Sequence, residues 1–199
     1  MYVIHPNYTE FMKTIPGLQH AYDIALLKLT SNISMSTTTT TELTVGRYPT
    51  VNPICLPDRD SVNTDKELAL FAGFGRIDVN VLNMGPLRTG WIRMNEPSDS
   101  VYDLWSHLIR NERYPINHGS GVCNGDSGGP LIQYGFDDSP QRGVSGRRQR
   151  AVLIGVALGY WPNTPGCPSK DTGAGNTFVR ISKHIDWIIN TVTANNTTK

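Results

Sequence analysis

Residues 123–131 read C-N-G-D-S-G-G-P-L, and the rest of the chain is best read outward from this run. It sets one hydroxyl, Ser127, among Gly125, Gly128 and Gly129, with the Asp126 carboxylate beside it and Cys123 four positions upstream. Glycine loses more backbone freedom on folding than any other residue. Glycines gathered round one serine therefore point to a backbone shape that side chains would block. A serine hydroxyl is a poor nucleophile at neutral pH. It needs a base to take its proton and donors to hold the oxyanion that forms on the attacked carbonyl. Small residues here let the N–H groups of Gly125 and Ser127 aim at one spot, which is how such a donor pair is built.

A second stretch gains meaning from the first. In D-I-A-L-L-K-L (23–29) an aspartate, Asp23, opens an apolar run with β character. Taken alone it reads as a strand-start or capping residue; paired with G-D-S-G-G-P it reads as a member of a catalytic set. In chain order D-I-A-L-L-K-L, P-I-C-L-P (53–57), G-F-G (73–75) and C-N-G-D-S-G-G-P-L are followed by a closing F-V-R-I…W-I segment. In this the chain resembles the chymotrypsin-like (trypsin family) serine proteases. The resemblance implies an all-β, chymotrypsin-like double β-barrel with a C-terminal α-helix, the first barrel being incomplete. It implies serine endopeptidase chemistry through an acyl-enzyme.

Residue by residue, the resemblance makes Ser127 the nucleophile and Asp23 the buried carboxylate that orients a catalytic histidine. It makes Gly125 and Ser127 the oxyanion-hole amides. Asp126 becomes the partner of an α-amino terminus created by activation cleavage, and Cys123 and Cys167 a disulfide bracing the specificity pocket. Gly121 matches the pocket floor, with Val122, Tyr160 and Asn176 around it, and Asn176 stands where a glycine is usual. With no carboxylate at Gly121, an Arg or Lys side chain would be buried without a partner, so a preference for apolar residues is expected. Ala69 and Gln133 occupy the two positions of a bridge absent here, and Cys55 matches a cysteine whose partner would lie upstream of Met1.

One part of the pattern is missing. The family's general base stands in an A-A-H-C-type motif ahead of the aspartate, and no such motif precedes Asp23. His5, His20, His107, His118 and His184 are each expected to be surface or packing residues rather than that base. Two readings follow: a fragment of a protease, lacking the catalytic histidine and inactive alone, or a non-catalytic homologue acting as a binding or regulatory module.

Composition is that of a globular domain rather than a disordered chain. Hydrophobic residues make up 38% of 199 and charged residues 18%, with a formal charge of +1. That balance offers no footprint for nucleic acid or a membrane surface. The opening M-Y-V-I-H-P-N-Y lacks the build of a signal peptide, and secretion is implied by the family and by N-x-[ST] triplets at Asn7, Asn32, Asn195 and Asn196. Of three cysteines at least one lacks an internal partner, and no metal-type spacing occurs. No cofactor or metal is expected; the expected partners are polypeptide substrates or protein inhibitors, met by a monomer.

Strand-like runs dominate: Y-V-I-H-P-N-Y, D-I-A-L-L-K-L, L-A-L-F-A-G-F-G-R, L-R-T-G-W-I-R-M, G-G-P-L-I-Q-Y-G, A-V-L-I-G-V-A-L-G-Y and N-T-F-V-R-I. Their spacing suits a sandwich or a barrel. Ile181, Ile185, Ile188, Ile189 and Val192 fall at helical spacing, with Ser182 as the expected cap. The threonine-rich 34–44 and the polar 136–150 read as loops, and 56–68 as a linker. The expected division is 1–57 as the remnant of a first barrel, 58–180 as the second barrel, and 181–199 as helix and polar tail.

Overall fold

A computed structural model describes residues 1–14, 18–34, 52–59, 68–77, 85–95, 107–111, 121–137, 148–161, 167 and 175–194. Six strands, β3 (Leu68–Gly73), β4 (Arg88–Asn95), β5 (Leu108–Asn111), β6 (Pro130–Asp137), β7 (Arg148–Trp161) and β8 (Gly175–Arg180), close into an antiparallel barrel in the order β3-β4-β5-β8-β7-β6. Alternation along the strands supplies the interior. Ala69 and Phe71 of β3, Ile92 and Met94 of β4, Ile109, Leu131, Ile154 and Phe178 are all buried and form one core. Closure removes the sheet edges that would otherwise stand unpaired.

β8 is buried along its whole length. Phe178 faces the barrel interior, while Val179 packs outward with Ile181, Ile185 and Ile188. Those isoleucines come from a 3-10 turn, Ile181–His184, and the helix α2 (Ile185–Ala194). Both faces of β8 are thus covered, which explains why even Asn176, Thr177 and Arg180 are buried. Ile189 and Val192 share the spacing but stay exposed. Ser182 lies inside the 3-10 turn, so it does not cap; Arg180 occupies that place without a side-chain cap bond.

The N-terminal segment is a two-stranded ribbon, β1 (Tyr2–Ile4) with β2 (Ala25–Leu27), in which Val3 opposes Leu26. Val3 and Leu26 are half-buried, while Tyr2, Ile4 and Leu27 on the other face are exposed. Between the two strands run the helix α1 (Pro6–Thr14) and a 3-10 turn, Leu18–Tyr22. This departs from the expected strand over Y-V-I-H-P-N-Y. Proline fixes φ and lacks an N–H, which suits the first position of a helix. His5 then caps it: its Nδ1 accepts the Asn7 N–H at 3.3 Å, and its carbonyl accepts the Tyr8 N–H at 3.1 Å.

Two other expectations shift. β5 is a strand that the sequence reading did not mark. The polar stretch 136–150 is strand at both ends, since Phe136 pairs with Gln149 and Asp137 with Arg148. Cys55, just before the expected linker 56–68, is tied to β7: its N–H donates to the Ala151 carbonyl at 3.2 Å, and the Leu153 N–H donates to the Cys55 carbonyl at 2.9 Å. Most of 34–44 and of 56–68 lies outside the described residues. The fold class is nonetheless the expected one: mostly strands, a closed antiparallel barrel and a C-terminal helix.

Candidate active site

The turn that carries Ser127 is held from three sides. Gly125 and Gly128 take φ of 92° and 83°, the left-handed region that only glycine enters at little cost. The Asp126 N–H donates to the Cys123 carbonyl at 3.0 Å, and the Gly129 N–H donates to the Asp126 carbonyl at 2.9 Å. β7 grips the far end, with Gly128 N–H to Ala157 O and Ala157 N–H to Gly129 O, both 2.8 Å. Ser127 itself is exposed. Among the described hydrogen bonds neither Gly125 N–H nor Ser127 N–H is a donor to the protein.

Asp126 points the opposite way. It is 7% exposed, and its carboxylate accepts the Gly75 N–H at 2.7 Å and the Cys123 N–H at 2.9 Å. A buried carboxylate needs such donors. Gly73 and Gly75 leave the space for it, because a Cβ on either would strike the Asp126 carboxylate. A cavity of about 280 Å³ adjoins the carboxylate, lined in part by Gly121, Arg76, Ile77 and Arg88. The Arg76 N–H also ties this region to the Asn124 carbonyl at 2.9 Å.

The other expected residues fall as follows. Cys123 and Cys167 form a disulfide with Cα atoms 4.9 Å apart, and Cys55 is free. Val122 and Asn176 are buried, and the Val122 N–H donates to Asn176 Oδ1 at 2.7 Å. The Tyr160 backbone pairs with Asn176 in the β7–β8 ladder; its side chain is outside the described set. Ala69 and Gln133 stand across from each other one step beyond the Leu70–Ile132 pair of β3 and β6.

Asp23 lies between the 3-10 turn 18–22 and β2, where it is exposed rather than buried as expected, its N–H directed at the His20 carbonyl at 3.5 Å. Desolvation by the packing around it raises the pKa of its carboxyl, and the neighbouring His20 opposes that rise. The turn carrying it packs on β8. No contact joining Asp23 to Ser127 is among those of the described residues.

The histidines are placed by packing. His5, His107 and His184 gather with Tyr22 and Trp187, ring centroids 4.7 to 5.7 Å apart. Their meeting was not visible in the sequence, because they come from positions far apart. His20 is exposed, and His118 is outside the described residues. No group of three or more His, Cys, Asp or Glu side chains among the described residues could hold a metal ion. No helix among them is long and apolar enough to cross a membrane.

Comparison with known proteins accords with this geometry. Tryptase of Mus musculus is 28% identical over 182 residues, covering 86% of this chain and 56% of that protein. Chymotrypsin-C of Bos taurus is 28% identical over 174 residues, covering 83% of this chain and 53% of that protein. Ovochymase of Halocynthia roretzi is 26% identical over 201 residues, covering 98% of this chain and 10% of that protein. The chain thus spans about half the length of the first two and a tenth of the third. The Trypsin family model matches residues 1–188, and the chain belongs to that family of serine proteases.

Proposed function

We propose that this polypeptide is the nucleophile-bearing part of a secreted serine endopeptidase. The observation that carries the reading is the turn 123–129. Ser127 is exposed between two left-handed glycines, and Asp126 is turned away onto the Gly75 and Cys123 amides. In this reading an imidazole takes the Ser127 Oγ proton as Oγ attacks a peptide carbonyl. The Gly125 and Ser127 N–H groups hold the resulting oxyanion. Collapse expels the amine, which takes the proton, and leaves an acyl group on Ser127; water then repeats the steps in reverse. Asp23 orients the imidazole. Asp126 is the residue on which an activating α-amino group would close.

The imidazole is the missing part. His5, His107 and His184 are committed to one packed cluster, and we assign the base to polypeptide beyond these 199 residues. Residues 1–199 alone should then hydrolyse no peptide ester above the buffer rate. A longer natural product carrying the base should be labelled by a fluorophosphonate at Ser127, and Ser127→Ala should cut turnover by about a million-fold. Activity of the 199-residue chain that Ser127→Ala abolishes would refute the missing base. Labelling of the longer product at some other residue would refute Ser127. Extended polypeptides laid beside a strand are the proposed substrates, and protein inhibitors the proposed competitors.

The cluster also favours a second reading, a non-catalytic homologue that binds rather than cuts. The upstream transcript separates the two: an in-frame A-A-H-C-type segment supports the enzyme, and a start codon at Met1 with no such segment supports the homologue.

A further inference from the structure

Two hydrogen bonds fix the protonation of the histidine cluster. His184 Nε2 lies 3.0 Å from the Ala21 carbonyl, which can only accept, so Nε2 carries the proton and donates it. His5 Nδ1 accepts the Asn7 N–H at 3.3 Å, so Nδ1 carries no proton. Both rings are buried. A proton added at His5 Nδ1 would set two donors against each other and undo the cap of α1. A proton added to His184 would place a cation against the rings of His5 and His107.

Among the described residues no carboxylate stands ready to balance that charge. The charges that act on His5 and His184 are other imidazoles. Asp23 interacts with His20, and Asp186 is paired with Arg59 at 2.8 Å. Arg180 of β8 is itself a cation; it is buried and donates through Nη2 to the Leu108 carbonyl, next to His107, at 3.3 Å. Glu10 and Lys13 of α1, Lys28 after β2 and Lys183 before α2 are exposed.

The cluster also grips the residues on which the place of Asp23 depends. His184 bonds the Ala21 carbonyl and meets the Tyr22 ring edge to face, 5.7 Å between centroids. On the other side of Asp23, Ile24 is buried against Val179, Ile181, Ile185 and Ile188. One anchor is apolar and indifferent to pH; the other titrates. We infer that the cluster is an acid latch: its protonation frees the segment from β1 to β2 from the barrel and withdraws Asp23 from the position in which it orients a catalytic imidazole. His184 is thus a positioning residue. The withdrawal rests on Asp23 being that orienting carboxylate; the release does not.

Amide hydrogen exchange of the 199-residue chain, followed by NMR at pH 7 and pH 4.5, tests the release. The His5 and Ile24 N–H groups bond the Ile24 and Tyr22 carbonyls and report on the segment. Their protection should fall about 50-fold, the factor for one imidazole whose pKa is about 4 when docked and 6.5 when released. At both pH values it should stay at least about tenfold below that of Ile92 and Phe178 in the barrel core, because the segment opens without the barrel. No fall, or protection equal to that of the core, overturns the latch. His184→Gln keeps a donor for the Ala21 carbonyl and removes the titration. With unchanged near-ultraviolet circular dichroism at pH 7, this variant should lose about tenfold less protection at pH 4.5 than wild type. A folded variant that releases as readily as wild type overturns the assignment to His184. The withdrawal is read at pH 8 in the longer natural product. There His184→Phe, which cannot bond Ala21, should slow fluorophosphonate labelling of Ser127 at least about tenfold, and His184→Gln should restore it. Undiminished labelling in a His184→Phe protein whose His5 and Ile24 amides exchange faster strikes Asp23 as the orienting carboxylate, while the exchange results still decide the latch.

Discussion

His5 and His184 meet edge to face, with ring centroids 5.1 Å apart and planes at 78°. The first comes from the end of β1 and the second from the turn before α2, so their contact pins the N-terminal segment to the barrel. Tyr22 and Trp187 pack on the pair and His107 of the strand β5 approach completes it. Burial pushes the His184 pKa down from 6.5 to about 4, and the neighbouring His5 and His107 push the same way. The backbone carbonyl of Ala21, 3.0 Å from Nε2, pulls weakly upward. His5 is lowered too, by burial first and then by His107.

An imidazole with a depressed folded pKa binds its proton more readily in the unfolded chain. The stability it permits is whole above about pH 6.5 and is lost as the pH falls toward about 4. At 1.36 kcal/mol per pKa unit, His184 alone amounts to about 3 kcal/mol over that window. Urea midpoints measured from pH 7.5 to 4.5 should therefore fall steeply. His184→Phe should flatten the slope while keeping the packing volume. An equal slope in the variant would show that the titration lies elsewhere.

Gly75 and Gly159 make a second, contrasting pair. A Cβ on Gly75 runs into the Asp126 carboxylate, whereas one on Gly159 meets nothing within 4 Å. Gly75→Ala should thus displace Asp126 from the Gly75 and Cys123 amides and cost about 2–4 kcal/mol. Gly159→Ala should stay within about 0.5 kcal/mol of wild type, as an unobstructed surface substitution does. Chemical denaturation of both variants is the measurement. Comparable losses in the two would mean that the Asp126 pocket tolerates the extra methyl group.

These positions show what the sequence could and could not carry. The Ser127 turn was legible because its chemistry needs small residues at fixed spacing within nine positions, 123–131. The helix α2 was legible through its isoleucine period, although its cap was misplaced because a 3-10 turn begins two residues earlier than the pattern suggests. H-P-N-Y misled because β-rich flanks hid a proline acting as a helix starter. Asn176 was visible as an unusual residue, but its partner Val122 lies 54 positions away and only folding brings the two together. The histidine cluster is the same case: positions 5, 107 and 184 have no common local pattern.

The disulfide offers a third test. Cys123 and Cys167 are separated by 44 residues and join the start of the Ser127 turn to the segment after β7. Loop-closure entropy for that length corresponds to about 4 kcal/mol, and measured losses for native bridges run from about 2 to 5. Cys123→Ser with Cys167→Ser should lower the denaturation midpoint accordingly. Cys55→Ser should leave the midpoint nearly unchanged, since Cys55 has no disulfide to lose. A loss under about 1 kcal/mol in the double variant would mean that the barrel ladder already holds both ends without the bridge.

Asp126→Asn probes the turn most directly, because it keeps the shape of the side chain and changes one acceptor into a donor. In wild type Oδ1 receives the Gly75 N–H at 2.7 Å and Oδ2 the Cys123 N–H at 2.9 Å. An amide can satisfy only one of these; its NH₂ then faces a backbone N–H, and two donors are left opposed in a buried place. The cost should be about 1.5–3 kcal/mol. The effect should be local, with amide hydrogen exchange accelerating at Gly75, Cys123 and Gly128 while Ile92 and Phe178 in the barrel core keep their protection. Uniform acceleration across the barrel would show instead that Asp126 supports the whole fold, and the turn would then not be separable from it.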